Sequence, residues 1–307
     1  MRPSEPPNSL LERFRRGDRL ALSRLVSLVA RGEAIGAILE GVGPAENPAR
    51  VVALTGAGGV GKSSLTGKLI EEIRRQGPTV AVLACDPESP LSGGALLGDR
   101  FRMSARPEDD GVFIRSLAAA GGQGALAHHL DAIIRVLEAF GFGVVLLETV
   151  GAGQGDTAVA GLVDVLVLLL QPETGDDLQW EKAGLLEVAD LVVIHKADLP
   201  GADRVEAQVI AGLGLSHAPA PVVLRASARS GVGVPQLWQA IASRPLRRGV
   251  RRDAVELFRL LREHLAARFA ASRGEAEGLA SRWQAGGMST ADALGELALL
   301  LGPRGNA

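Results

Sequence analysis

The sequence predicts an α/β protein with a doubly wound, mostly parallel sheet and with helical extensions at both ends of the chain. Short apolar runs recur through the middle of the chain, and segments with helical periodicity separate them. Strands that are apolar on both faces and alternate with helices are typical of a parallel sheet covered on both sides. A glycine-rich loop, residues 56–63, directly follows the first run. This loop gives the predicted sheet a candidate ligand site.

The predicted elements follow in order along the chain. Residues 1–45 have apolar residues at helical spacing, so we expect an N-terminal helical extension there. Residues 46–245 are predicted to form the sheet domain, and residues 246–307 a C-terminal helical arm. The predicted strands are 51–54, 80–84, 112–114, 144–147, 165–170, 191–194 and 222–224.

Composition excludes several classes of protein. The 307 residues have a formal net charge of −2, and aromatic residues make up 3%, so neither a basic surface nor stacking on bases is expected. One cysteine excludes an intramolecular disulfide framework. The sequence has no apolar stretch of the length that a membrane span needs. We therefore expect a cytoplasmic protein that binds neither nucleic acid nor membrane.

The glycine-rich loop fits the phosphate-binding pattern GxxxxGK[ST] between a predicted strand and a predicted helix. Glycines let successive backbone N–H groups face the phosphates of a nucleotide, and the helix N-terminus adds the positive end of a dipole. Lys62 is expected to reach the β- and γ-phosphates, and Ser63 to bind Mg²⁺. The predicted phosphate-binding residues are Gly58, Gly59, Val60, Gly61, Lys62, Ser63 and Ser64.

Carboxylates at neighbouring strand ends are candidates for holding the metal ion and the attacking water. Asp86 follows the apolar run VAVLAC, and Glu148 follows VVLL. Ligands bind at the carboxyl ends of strands in open α/β sheets, so both acids are predicted Mg²⁺ ligands and catalytic residues. Asp99, in the glycine-rich connection SGGALLGD, is a third candidate for the same roles. Asp99 taken alone is more simply explained as a turn former. Glu148-x-x-Gly151 is similar to the γ-phosphate sensor of GTPases, and Gln154 is a candidate for orienting water.

The nucleotide base is predicted from two motifs late in the sheet. His195-Lys196-Ala197-Asp198 resembles NKxD, in which the aspartate accepts hydrogen bonds from guanine N1–H and the exocyclic amine. Adenine offers no such pair of donors, so an aimed carboxylate would be left unpaired with ATP. Ser227-Ala228 resembles the SA loop that supports a guanine. Because His195 replaces asparagine, we expect weaker tethering of the loops or weaker contact with the base.

Together these motifs resemble the MeaB/ArgK family of GTPases over about residues 10–245. The matching segments, in order, are GAGGVGKSS, DPESP, GGALLGDRFRM, ETVGAGQGD, GDDLQWEKAG, HKAD and SARSG. The resemblance implies a P-loop NTPase fold of the SIMIBI type. It also implies GTP and Mg²⁺ as ligands, a homodimer formed through the C-terminal helices, and an adenosylcobalamin-dependent acyl-CoA mutase as partner. Relatives act as chaperones that gate cofactor loading and protect the mutase from inactivation.

Other functions remain open at the level of sequence. A nickel-delivery GTPase has a related nucleotide domain, but the five histidines here form no ligand array. An ATP-using P-loop kinase has no need for the HKAD and SA motifs, and a scaffold without turnover would share the phosphate loop. Departures from the family pattern in ETVGAGQGD and GDDLQ also suggest a branch that serves another mutase, such as one for ethylmalonyl or 2-hydroxyisobutyryl substrates.

Overall fold

The computed structural model describes residues 6–86, 109–118, 129–150, 159–172, 183–213, 220–247 and 272–301. The chain divides into two compact units, Met1–Leu246 and Arg247–Ala307. The first unit contains the sheet and the predicted nucleotide site. The second unit contains two helices among its described residues.

The described residues of the first unit form a sheet of seven strands that pair in parallel in the order β3-β2-β4-β1-β5-β6-β7. Their bounds are β1 Arg50–Gly56, β2 Val80–Asp86, β3 Val112–Ala118, β4 Val144–Glu148, β5 Val165–Leu170, β6 Leu191–His195 and β7 Val222–Ala226. Each predicted strand is present within one of these. The doubly wound α/β fold is therefore confirmed, and this sheet is entirely parallel.

Alternate residues of one strand enter different hydrophobic cores. In β1, Val51 and Ala53 pack into the core on one face of the sheet, whereas Val52 and Leu54 pack into the core on the other face. All four side chains are fully buried. Successive side chains of a strand point to opposite faces, so a strand covered on both sides must be apolar throughout. This is why the strands read as continuous apolar runs in the sequence.

Helices connect the strands and cover the sheet. They are α4 Lys62–Arg75, α5 Leu130–Phe140, α6 Ala183–Val188, α7 Ala202–Leu213 and α8 Val234–Ala242. Helix α4 follows β1 directly, and α5 precedes β4. Among the described helices, none is both long enough and apolar enough to cross a membrane.

The N-terminal helices share a core with the sheet. They are α1 Pro7–Arg15, α2 Arg19–Ala30 and α3 Ile35–Val42, and their buried residues join the same hydrophobic cluster as α5 and β1. The rings of Phe14 and Phe140 meet edge to face with centroids 5.1 Å apart. Asp18 caps α2 by accepting hydrogen bonds from the N–H groups of Leu20 and Ala21.

The second unit contains helices α9 Arg273–Gln284 and α10 Thr290–Leu301. Arg282 forms an ion pair with Glu296 at 3.1 Å, and the indole N–H of Trp283 donates to Thr290 Oγ1 at 3.2 Å. These contacts hold the two helices together as a hairpin. Leu294 and Leu299 of α10 are 61% and 81% exposed.

The sheet order places a ligand site at the carboxyl end of β1. Strand β1 lies between β4 and β5, with β2 and β3 beyond β4 on one side and β6 and β7 beyond β5 on the other. Strands β2 to β4 are therefore added on one side of β1, and strands β5 to β7 on the other side. Open α/β sheets bind their ligands at such a reversal.

Candidate functional site

The glycine-rich loop, residues 56–63, forms the turn between β1 and α4. Gly61 precedes the first residue of the helix with φ +98°, and Gly56 has φ +148°. A Cβ on Gly56 would lie 2.5 Å from the carbonyl oxygen of Leu169 on the neighbouring strand. Glycine is needed at both positions because other residues rarely adopt these backbone angles. Gly58, Gly59 and Ser64 are exposed, whereas Val60 is buried.

Lys62 lies over the beginning of this phosphate loop. Its Nζ donates to the carbonyl oxygens of Gly56 at 2.9 Å and Ala57 at 3.2 Å. The ammonium therefore lies beside the loop in which the phosphates of a nucleotide would bind. A lysine at this place supplies the positive charge that the β- and γ-phosphates require.

Ser63 and Glu148, two predicted magnesium ligands, lie side by side. Glu148 ends β4, and its Cα is in register with Leu54 of β1 and Ala84 of β2. The Ser63 hydroxyl donates to Glu148 Oε2 at 3.3 Å, and the carboxylate is 4% exposed. The first turn of α4 and the end of β4 therefore bring a hydroxyl and a carboxylate together from residues distant in sequence.

Thr66 also contacts this carboxylate, and the sequence reasoning did not identify it. Its Oγ1 lies 2.9 Å from Glu148 Oε1 and 3.0 Å from the carbonyl oxygen of Lys62, and the side chain is fully buried. Thr66 follows Lys62 by four residues, and residues at this spacing share a helix face. A threonine one helical turn beyond the lysine, on the side facing the sheet, was the signal available in the sequence.

The structure describes only one of the remaining residues that were predicted to bind the phosphates, the metal ion or water. Asp86 ends β2, the strand that pairs with β4, so its backbone lies at the same edge of the sheet as Glu148. Asp99, Gly151 and Gln154 lie outside the described residues. Their predicted roles stay predictions.

The described oxygen atoms fit a magnesium ion. Mg²⁺ prefers hard oxygen ligands, and nucleotide sites commonly supply one or two carboxylates while phosphates and water complete the coordination. Ser63 Oγ and the Glu148 carboxylate are ligands of this type, and they lie at the start of the helix that follows the phosphate loop. Within the described parts of the chain, no three His, Cys, Asp or Glu side chains cluster as a metal site.

Asp198 and Ser227 join the two segments that were predicted to bind the base. The Ser227 hydroxyl donates to Asp198 Oδ1 at 2.6 Å and accepts from the N–H of Ser230 at 3.2 Å. This serine is 1% exposed, whereas Asp198 is exposed. The hydrogen bond from Ser227 is the main cause of a lowered pKa for Asp198. The carboxylate is therefore held ionised and oriented, as acceptance from a base would require.

His195 connects the phosphate loop with the loop that carries Ser227 and Ala228. Its Nδ1 lies 2.8 Å from the carbonyl oxygen of Val60, and its Nε2 accepts from the N–H of Ala228 at 3.2 Å. The side chain is 3% exposed, and burial is the main cause of its lowered pKa. The imidazole therefore makes contacts with both loops, and the expectation of weaker tethering than asparagine gives stays a prediction. Lys196 follows in the left-handed region with φ +56°.

The chain matches a known protein family over most of its length. Residues 22–273 match the family described as methylmalonyl-CoA mutase-associated GTPase MeaB. The chain is 34% identical to the GTPase ArgK of Escherichia coli over 245 residues, which are 75% of this chain and 73% of that protein. It is 42% identical over 200 residues to the mitochondrial methylmalonic aciduria type A homolog of Mus musculus, covering 62% of this chain and 48% of that protein.

A solved structure has the same architecture. The crystal structure of a protein named LAO/AO transport system kinase superposes with a TM-score of 0.65 at 26% identity, and the match covers 96% of this chain and 97% of that one. A phosphate loop, a strand-end carboxylate and a family match over most of the chain lead to one assignment. The chain is a P-loop GTPase and belongs to the MeaB family of methylmalonyl-CoA mutase-associated GTPases.

Proposed function

We propose that this GTPase is a chaperone of an adenosylcobalamin-dependent acyl-CoA mutase, either methylmalonyl-CoA mutase or a related enzyme. Hydrolysis of GTP would gate cofactor loading and protect the mutase from inactivation. The match to a family described as mutase-associated carries this proposal. The name of the mouse relative, which refers to methylmalonic aciduria, supports it.

Hydrolysis rests on the group formed by Lys62, Ser63 and Glu148. Lys62 would neutralise charge on the β- and γ-phosphates, and Ser63 and Glu148 would hold Mg²⁺ together with Asp86 and Asp99. When bound, Mg²⁺ stabilises the charge that develops on the phosphate oxygens. The Ser63 to Glu148 hydrogen bond supports this proposal because it brings the two proposed ligands within 3.3 Å. Catalysis of this kind depends mainly on preorganised charge.

Selection of guanine rests on Asp198. Its exposed carboxylate is held by the buried Ser227 hydroxyl, so one oxygen is fixed while the group stays open to a ligand. We expect Asp198 to accept from guanine N1–H and the exocyclic amine. The aliphatic part of Lys196 would pack across the base. The backbone of Gly151 would contact the γ-phosphate.

Dimerisation is assigned to the C-terminal arm, residues 246–307. The described hairpin exposes Leu294 and Leu299 on α10 and Trp283 on α9, at 61%, 81% and 45%. Large apolar side chains exposed on one helical hairpin favour contact with another protein surface. We propose that a second copy of the chain binds this surface and forms a homodimer. The proposed location of the protein is the cytoplasm.

The test is a comparison of GTP hydrolysis by the purified chain alone and with an excess of methylmalonyl-CoA mutase, with ATP in parallel. Stimulation with GTP alone supports both guanine selection and the mutase partnership. The same assay with ethylmalonyl- and 2-hydroxyisobutyryl-CoA mutases identifies the branch. A GTPase rate that none of these mutases changes would contradict the chaperone proposal. Equal use of ATP would contradict the role of Asp198.

Turnover separates this proposal from a scaffold that only binds nucleotide. Glu148→Ala should remove most of the GTPase rate if Glu148 organises the metal ion. A scaffold does not hydrolyse GTP, so the same substitution would not lower any catalytic rate. Binding of GDP, measured by calorimetry on the same variant, shows whether the protein is still folded and able to bind nucleotide.

A further inference from the structure

The imidazole of His195 makes two hydrogen bonds that require opposite roles of its two nitrogens. The carbonyl oxygen of Val60 only accepts, so Nδ1, at 2.8 Å from it, must carry a proton. The backbone N–H of Ala228 only donates, so Nε2, at 3.2 Å, must be free of a proton. Both contacts are satisfied together by the neutral imidazole protonated at Nδ1. We call these two hydrogen bonds the His195 bridge.

The His195 bridge joins the two halves of the nucleotide site. Val60 belongs to the phosphate loop, and its N–H bonds to the carbonyl oxygen of Ala57 within that loop. Ala228 follows Ser227, whose hydroxyl orients Asp198. The ring also lies against the last glycine of the loop, because a Cβ on Gly61 would come within 2.6 Å of His195 Cε1. The position of the imidazole therefore affects the distance between the proposed phosphate site and the proposed base site.

A second proton on the ring is incompatible with the bridge. If Nε2 were protonated, its N–H would point at the N–H of Ala228. The imidazole would also become a cation, which is costly because His195 is only 3% exposed. Lys196 and Asp198 also act on the imidazole, in opposite directions, with Lys196 lowering its pKa and Asp198 raising it. Two further positive charges belong to the adjoining loops, Lys62 in the phosphate loop and Arg229 after Ala228. The charge of Arg229 lowers the pKa of Asp198. Burial has the largest effect on the pKa of the imidazole, and it lowers that pKa, which favours the neutral form.

We propose that His195 is a positioning residue that couples the phosphate loop to the base-binding loop only as the neutral, Nδ1-protonated imidazole, so that nucleotide affinity depends on proton concentration. This inference goes beyond the mutase partnership and does not depend on it, although it rests on the proposed guanine nucleotide site. Protonation removes the contact with Ala228 and frees the two loops from each other. Asparagine can donate to one backbone group and accept from the other without titrating, which makes it the matched replacement.

The first test measures the dissociation constant of GDP with Mg²⁺ by calorimetry between pH 8 and pH 5. For the unmodified protein, affinity should fall by up to about tenfold for each pH unit below the pKa of His195, since the proton must leave before the bridge forms, until it reaches the weak affinity of a protein without the bridge. His195→Asn should bind GDP at pH 8 and follow only the ionisation of GDP itself as the pH falls. His195→Phe, which fills the space without either hydrogen bond, should bind weakly at every pH.

A matched control is His129→Asn. His129 lies outside the nucleotide site and has φ +55°, a backbone conformation that asparagine accepts well. This variant should keep the pH profile of the unmodified protein. If the ratio of the GDP dissociation constants of the unmodified protein and His195→Asn is the same at all pH values, the inference is overturned. Absence of GDP binding by the unmodified protein would overturn the proposed nucleotide site as well.

The second test observes the ring directly. Long-range ¹H–¹⁵N spectra of protein labelled with ¹⁵N-histidine distinguish the Nδ1-protonated from the Nε2-protonated tautomer, and loss of signals in His195→Asn assigns the residue. We expect the Nδ1-protonated form at pH 8. An Nε2-protonated ring would contradict the inference even if affinity depended on pH.

Discussion

The hydroxyl of Thr66 lies 2.9 Å from Glu148 Oε1, so a side chain on α4 holds a carboxylate on β4. Ser63 contacts the other oxygen of the same carboxylate at 3.3 Å. Both contacts come from the helix that begins at the phosphate loop. The orientation of the proposed metal ligand is therefore coupled to the position of that helix.

Removing the Thr66 hydroxyl should lower the GTPase activity without preventing the binding of Mg²⁺ and nucleotide. Thr66→Val keeps the volume of the side chain but leaves Glu148 Oε1 without this donor, and a hydrogen bond to a charged group contributes about 1.5–3 kcal/mol. We expect kcat/KM for Mg-GTP to fall about 10- to 100-fold. Steady-state kinetics at several magnesium concentrations measure this. Thr66→Ser keeps the hydroxyl and should recover most of the loss, and an equal loss in both variants would contradict an orienting role.

Neutralising Glu148 should reduce hydrolysis far more than nucleotide binding. Glu148→Gln keeps the size of the side chain but removes the charge proposed to bind Mg²⁺, and we expect a loss of about 100-fold in kcat, the scale seen when a preorganised electrostatic contact is removed. Single-turnover hydrolysis and GDP calorimetry separate the two effects. Asp164→Asn is a matched control, because Asp164 is fully buried and accepts from the N–H of Val51 at 2.9 Å. A similar kcat loss in this control would mean that the effect is structural.

Changing the proposed base acceptor should change which nucleotide is bound. In Asp198→Asn, the side-chain oxygen can still accept from Ser227, while the amide N–H₂ replaces a carboxylate oxygen. GDP affinity should fall by about tenfold or more, because guanine donors then meet a donor. Xanthosine diphosphate, which carries a carbonyl in place of the amine, should be preferred. Competition binding with both nucleotides measures the ratio, and unchanged preference for GDP would contradict the assignment of Asp198.

Folding stability should fall in mild acid because of His195. The pKa of His195 is lowered from its ordinary value of 6.5, so the unfolded chain binds this proton more readily than the folded protein. The contribution of His195 is therefore complete above pH 6.5 and is lost as the pH falls through the lower pKa of the folded state, with a slope of at most about 1.4 kcal/mol per pH unit. Urea unfolding at several pH values should show a smaller slope for His195→Asn. Equal slopes would contradict this prediction.

A charge on the exposed face of α10 should weaken the proposed dimer. Leu299 is 81% exposed in the hairpin, so Leu299→Glu adds a charge with little effect on the fold of the hairpin itself. Sedimentation equilibrium should show a shift from dimer to monomer. Leu20→Glu in the first unit is the control, since Leu20 is 55% exposed on α2 and should not affect association. A Leu299→Glu protein that remains dimeric would place the interface elsewhere.

The sequence by itself determined the fold class, the positions of the seven strands and the phosphate loop. Strands buried on both faces must be apolar at every position, and the loop needs glycine where the backbone has positive φ, as at Gly56 and Gly61. These are local requirements, so each leaves a pattern in neighbouring residues. Glu148 was also identified locally, because it directly follows an apolar run.

Only the tertiary structure decided which side chains meet across the site. Thr66 and Glu148 are far apart in the sequence, and their contact exists because the sheet places β4 beside β1, from which α4 continues. The partners of His195 could not be predicted for the same reason. From sequence the histidine was a departure from NKxD, whereas in the fold its ring reaches Val60 in one loop and Ala228 in another. Hydrogen bonds between distant segments depend on strand order and register, and no local pattern encodes their partners.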